Sequence, residues 1–187
     1  MQQLESNQLK KGMKLEVDGV PYNAVTVDLV KPGKGQAFTR VRMKNLLTGQ
    51  VIERTFKSNE KVGLADIEEA TMRLLYKETD GAVFMDDKTF EQITIPMTLI
   101  GEDEVWLMEE QLYGIIFYKG EAVDFTPPNF MEMFITETDP GERGNTSGKV
   151  LKPAKTETGA KIQVPIFVES GEKIRVDTRT SEYVNRV

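Results

Sequence analysis

The stretch Phe38-Thr39-Arg40-Val41-Arg42-Met43-Lys44-Asn45-Leu46 decides how this chain folds. Val41 and Met43 alternate with Arg40, Arg42 and Lys44, and successive side chains on a strand point to opposite faces. The stretch therefore reads as a strand with an apolar inner face and three cations on its outer face. Thr48-Gly49 follows, and Gln50–Phe56 reads as the return strand of a hairpin. The outer face has two readings at this level: an ordinary solvated surface, or a stripe that contacts phosphates.

The pattern extends in both directions. Upstream, Lys14–Val17 and Val20–Val25 flank Asp18-Gly19, a strong two-residue hairpin signal. Between that hairpin and Phe38 lies Lys31-Pro32-Gly33-Lys34-Gly35, at the expected tip of a second hairpin. Two glycines keep a turn tight and crowd nothing around Lys34, and Pro32 stiffens the approach. The expected product is a thin finger ending in one amine. Such a lysine can be an ordinary turn residue, an attachment point, or an RNA-contacting group. A phosphate-binding loop is excluded, because that motif needs glycine at position 28 and Ser or Thr at 35, where Asp and Gly stand. Swinging-arm carrier domains also present a lysine on a turn, but between bulkier neighbours than Gly33 and Gly35.

Downstream, residues 67–76 (IEEATMRLLY) are ambiguous: propensity favours helix, yet Ala70, Met72, Leu74 and Tyr76 alternate as in a strand. Asp80-Gly81 and Lys119-Gly120 mark further hairpins. Glu104–Gln111 (EVWLMEEQ) is the best short helix, with Trp106 expected to pack rather than to act. Thr126-Pro127-Pro128-Asn129 is a stiff linker signal. Beyond it Ile162, Val164, Ile166 and Val168 alternate, Glu169–Glu172 turns the chain, and Ile174 and Val176 resume the alternation. Three β-rich modules of about 60 residues each emerge, a size that buries little core alone, with boundaries near Leu64 and Pro128. No internal repeat is evident in the residues themselves.

The 187 residues contain no cysteine and no histidine. Disulfides, thiolate nucleophiles, the usual zinc sites and imidazole-dependent triads are therefore excluded. Asp86-Asp87 and Glu109-Glu110 read as solvated faces, with no catalytic residue and no metal site expected. No apolar run approaches the ~20 residues that cross a bilayer, and the N-terminus lacks a secretory pattern, so a cytoplasmic protein without membrane contact is expected. Asn145-Thr146-Ser147 then matches a glycosylation acceptor by chance. Net charge is −6, but it is segregated: residues 1–64 carry 11 Lys/Arg against 6 Asp/Glu, residues 65–128 carry 4 against 15, and residues 129–187 carry 9 of each. A cationic first module suits a polyanion such as RNA, and an acidic middle restricts where that polyanion sits.

Val30-Lys31-Pro32-Gly33-Lys34-Gly35-Gln36-Ala37-Phe38 resembles the hairpin-tip signature of the bacterial elongation factor P family. The resemblance continues through Thr55-Phe56-Lys57-Ser58, Lys152-Pro153-Ala154, Gly159, Ile162, Val164-Pro165, Val168 and Gly171. Val176-Asp177-Thr178-Arg179 and Glu182-Tyr183-Val184-Asn185-Arg186 close the chain as that family closes. It implies an all-β fold of three small barrels in an elongated L: an SH3-like, KOW-type domain at 1–64, an acidic OB domain at 65–128 and a second OB domain at 129–187. It also implies strand, not helix, for 67–76.

The functional implications are equally specific. The family binds the ribosome between the peptidyl and exit tRNA sites and stimulates peptide-bond formation at consecutive prolines, without being an enzyme itself. Lys34 matches the position extended in many members, commonly by a β-lysyl group that a lysine-modifying enzyme adds; no other cofactor is implied. Lys31, Pro32, Gly33, Gly35, Gln36, Arg40 and Arg42 match contacts to peptidyl-tRNA or ribosomal RNA. Gly144, Asn145 and Thr146 match a third-domain loop near the exit-site codon, with Asn145 where the family often has Asp. Tyr183 and Arg186 match residues near the small subunit and the anticodon stem. A monomer is implied. The alternative left by the residues alone is a general RNA-binding module with no proline-specific role; a carrier protein is the third.

Overall fold

The computed structural model describes residues 2–140 and 150–187. It divides into two compact units, one formed by the chain up to Ala70 with Ile115–Asp124, the other by Thr71–Gly114 with Phe125–Val187.

The first unit begins with β1 (Gln3–Glu5), β2 (Lys14–Val17), β3 (Val20–Val30), β4 (Phe38–Asn45), β5 (Val51–Lys57) and β6 (Lys61–Leu64), in the sheet order β1-β6-β2-β3-β4-β5. Asp18 and Gly19 both take positive φ, 54° and 78°, as a two-residue hairpin turn requires. At the β4–β5 turn the Asn45 side-chain oxygen accepts from the Leu47 and Thr48 N–H groups at 2.8 and 3.1 Å, a local cap that fixes the register. The inward positions Leu15, Ala24, Val41, Met43, Phe56 and Val62 form the core. The same alternation leaves Arg40, Arg42 and Lys44 exposed, as the sequence leads one to expect. A second cluster unites Leu46 and Ala65 with Tyr118 and Val123. Tyr118 Oη donates to Glu16 Oε2 at 2.9 Å, and Lys14 Nζ lies 3.6 Å from Asp124.

One buried group in this unit is at odds with its surroundings. Thr39 is 1% exposed, and its hydroxyl has no hydrogen-bond partner among the described residues. A buried unpaired hydroxyl costs about 1–3 kcal/mol, and an apolar group of the same shape removes that cost. Thr39→Val is expected to stabilise the protein by about 1 kcal/mol, read from the urea midpoint at unchanged slope. A loss of stability would mean that the hydroxyl is satisfied in solution.

The middle of the chain supplies β7 (Ile67–Lys77), β8 (Gly81–Met85), β9 (Gln92–Pro96), the short helix α1 (Met97–Ile100), a 3-10 turn at Gly101–Trp106, β10 (Leu112–Tyr118) and β11 (Glu121–Thr126). The ambiguous stretch 67–76 is strand: Met72 and Leu74 are buried between more exposed neighbours. Sheet order is β11-β10-β7-β8-β9. The last five strands, β12 (Phe130–Thr138), β13 (Leu151–Thr156), β14 (Lys161–Pro165), β15 (Lys173–Asp177) and β16 (Glu182–Arg186), close into a barrel in the order β12-β13-β14-β16-β15, with β14 and β16 parallel. Numbered within itself this barrel runs 1-2-3-5-4 and back to 1, an OB-type arrangement. The middle sheet has the same order, opened between its third and fifth strands. The structure thus repeats where the residues do not.

Glu104–Gln111 is not a helix. The 3-10 turn ends at Trp106, and residues 107–111 are irregular. The reason is competition for backbone groups. Tyr113 Oη donates to the Trp106 carbonyl and accepts the Met108 N–H, both at 2.8 Å. Glu110 takes φ +68°, and Glu110 and Gln111 pair with Leu74 on β7. The Trp106 carbonyl and the Met108 and Glu110 N–H groups are ones that a helix through Gln111 needs, and the positive φ at Glu110 breaks its backbone. Burial pushes the Tyr113 hydroxyl up to about 12, so it stays a donor at ordinary pH. Tyr113 also stacks on Phe125 at 5.3 Å and meets the edge of Phe84 at 5.5 Å. Trp106 packs as expected: it is 4% exposed and sits in the core of the last barrel with Met131, Met133, Ile162 and Val176.

Candidate functional site

The finger forms because β3 and β4 stay paired up to Val30↔Phe38 and release the chain only between them. Lys31, Pro32, Gly33, Lys34, Gly35 and Gln36 are all exposed. Nothing among the described residues pairs with the Lys34 amine. The two glycines are not equivalent. Gly35 has φ +114°, which L side chains rarely adopt; Gly33 lies outside that region, and a Cβ there meets nothing within 4 Å. The fold therefore needs glycine at 35 and not at 33. Gly33→Ala is expected to leave stability unchanged or raise it by up to ~1 kcal/mol, whereas Gly35→Ala should strain the loop by about 1–2 kcal/mol. Equal thermal-unfolding midpoints for the two variants would contradict that distinction.

The cationic stripe continues from the finger down β4. Arg40 lies opposite Thr55, Arg42 opposite Glu53 and Lys44 opposite Val51. Arg40 stands 5.9 Å from the Phe38 ring centroid and 3.6 Å from Glu53. That ion pair is exposed on both sides, so water and salt screen it and it holds Arg40 only loosely. Phe38 pairs with Lys57, which places a further cation on this face. Lys57 is absent from the sequence-level candidates. Counting residues outward from the Thr48-Gly49 turn would have found it, since the turn fixes which residues oppose each other.

The remaining candidates lie on the second unit. Tyr183 is partly packed against the barrel core, and Arg186 ends β16 with its guanidinium exposed. Phe167 links them: its ring lies 5.0 Å from the Arg186 guanidinium carbon and 6.5 Å from the Tyr183 ring, edge to face. Gly144, Asn145 and Thr146 lie outside the described residues. Among the described residues no group of three or more acidic, Cys or His side chains could hold a metal, and no helix is long and apolar enough to cross a membrane.

A chain of small β-barrel modules with a lysine-tipped finger and a cationic strand face is similar to a solved structure, the eukaryotic translation initiation factor 5A from Methanococcus jannaschii. Identity is 27%, the match covers 67% of this chain and 94% of that one, and the TM-score is 0.55. The class is that of β-barrel translation factors. Family models narrow it further: residues 5–62 match the elongation factor P KOW-like domain, 67–125 its OB domain and 131–186 its C-terminal domain. Elongation factor P 2 of Protochlamydia amoebophila is 60% identical over 188 residues, covering 100% of this chain and 99% of that protein. Elongation factor P 2 of Chlamydia pneumoniae is 52% identical with the same coverage. The chain belongs to the elongation factor P family, one of translation factors and not of enzymes.

Proposed function

We propose that this chain binds the ribosome between the peptidyl and exit tRNA sites and relieves stalling at consecutive prolines by ordering the end of the peptidyl-tRNA. The observation that carries the reading is the unpartnered Lys34 at the tip of an exposed finger, in a chain that belongs to a translation-factor family. Lys34 is the attachment point for a β-lysyl-type extension added by a separate modifying enzyme, and the extended amine reaches the CCA end. Lys31, Pro32, Gly33, Gly35, Gln36, Arg40 and Arg42 flank it as contacts to tRNA and ribosomal RNA, and Lys57 joins them. Gly144, Asn145, Thr146, Tyr183 and Arg186 act from the third domain toward the small subunit. The working modules are 1–64, 65–128 and 129–187, in a cytoplasmic monomer that needs no bound cofactor.

The mechanism asks for no acid or base from this protein. Proline is a rigid and poor nucleophile, so its tRNA occupies unreactive geometries. A factor that restricts those geometries raises the rate through orientation alone. Charge on the β4 face supplies affinity by releasing counterions from RNA, and the finger supplies the reach. A photoreactive side chain at position 34 tests the placement: it should crosslink to the 3′ end of peptidyl-tRNA on stalled ribosomes. Crosslinks confined to ribosomal RNA away from the peptidyl-transferase centre would favour a general RNA-binding module instead.

A further inference from the structure

Phe167 lies outside the core cluster of the last barrel. It is 54% exposed, while its neighbour Val168 is fully buried and anchors the segment in the barrel core. The ring instead lies against Arg186, 5.0 Å from the guanidinium carbon, and braces its own edge on Tyr183. The guanidinium also has a hydrogen-bond partner: Arg186 Nη1 donates to Glu172 Oε1 at 3.1 Å. Glu172 is itself held, since its Oε2 accepts the Glu169 N–H at 3.0 Å in the turn before β15. One face and one edge of the guanidinium are thereby occupied. Nε and Nη2 have no partner among the described residues, and together they form the edge that grips two oxygens of a phosphate side by side.

We propose that Phe167 is a positioning residue for Arg186, holding its free edge outward as a two-pronged contact to an RNA phosphate. This rests on the ribosome-binding reading above and names one phosphate contact within it. The chemistry favours phosphate over a base edge, because the guanidinium lies on the barrel surface over the Phe167 ring and leaves Nε and Nη2 side by side without a partner among the described residues. A ring under a guanidinium also removes rotamer freedom that binding would otherwise have to remove.

A double-mutant cycle on ribosome binding tests it, with affinities measured at a series of salt concentrations. Arg186→Ala should weaken binding on the order of tenfold and lower the slope of log affinity against log salt by about one, the signature of one lost phosphate contact. Phe167→Ala should weaken binding roughly two- to fivefold, the effect of losing an exposed ring–cation contact. Its slope should be unchanged, because the charge remains. Phe167→Trp should restore binding. In an Arg186→Ala background, Phe167→Ala should cost nothing further. An equal cost in both backgrounds would show that Phe167 contacts the ribosome by itself, and an unchanged slope in Arg186→Ala would remove the phosphate; either overturns the proposal. Loss of thermal stability in Phe167→Ala would assign it a structural role and overturns it too. Failure of the unaltered protein to bind ribosomes at all would instead overturn the underlying function.

Discussion

Lys34→Ala is expected to abolish relief of stalling at consecutive prolines and to leave the unfolding midpoint unchanged. The two halves of this expectation come from the same fact. Lys34 is exposed on a loop between β3 and β4 and pairs with nothing among the described residues, so its removal costs the fold nothing. A loss of activity at an unchanged unfolding midpoint would place its action outside the chain. Lys34→Arg separates charge from attachment. A guanidinium keeps the cation but cannot take the same acyl extension as an amine. If attachment is what matters, the arginine variant should be as inactive as the alanine one, with the proline-dependent rate falling on the order of 10²-fold, the loss typical of a misplaced reacting group. An active Lys34→Arg variant would return the lysine to the role of a simple phosphate contact. Both variants are checked in reconstituted translation of a message with consecutive proline codons, alongside thermal unfolding.

Trp106→Ala is expected to destabilise the second unit by about 3–5 kcal/mol, the cost of deleting a buried large aromatic. Trp106 is the sole tryptophan and the middle of the chain contributes it to the core of the last barrel, where it meets Met131, Met133, Ile135 and Val176. Thr158 Oγ1 donates to the Val105 carbonyl at 2.6 Å beside it, so the same segment is tied to the barrel by a hydrogen bond as well. A loss of that size is a large fraction of the 5–15 kcal/mol that holds a typical domain together. Urea unfolding followed by circular dichroism measures it, since the fluorophore is gone. Trp106→Phe should recover much of the loss. A cost under about 1 kcal/mol for Trp106→Ala would mean that the barrel closes its core without the insertion.

The parts of the fold legible in the residues are those written by short-range rules. Alternation located the strands at Lys14–Val17, Phe38–Asn45 and Lys161–Pro165, and turn glycines located the hairpins between them. Residues 67–76 show the limit of propensity: Glu, Ala, Met and Leu favour helix, yet pairing on both sides within the middle sheet makes them strand. Glu104–Gln111 shows the same limit. Its helical composition gives way because the nearby Tyr113 hydroxyl and the remote Leu74 take its backbone groups; Leu74 lies outside any local window, and only the folded chain shows where the Tyr113 hydroxyl points. The repeated strand order of the middle and last modules is invisible in the residues, because many different apolar sets satisfy one topology. At the site, Lys34 and the Arg40–Arg42–Lys44 stripe follow from spacing alone. Lys57 required a register, and the Phe167–Arg186–Glu172 clamp required three segments to meet.

The measurement that bears most directly on function is the rate of peptide-bond formation between two prolines relative to a proline-free pair, with this protein saturating and its Lys34 in the form isolated from the native cell. Tandem mass spectrometry of the Lys34 peptide identifies that form. A selective acceleration of the proline pair, lost when position 34 is alanine, is the predicted result. Equal acceleration of both pairs, or selective acceleration that survives at full strength in Lys34→Ala, would contradict a positioning role for the finger.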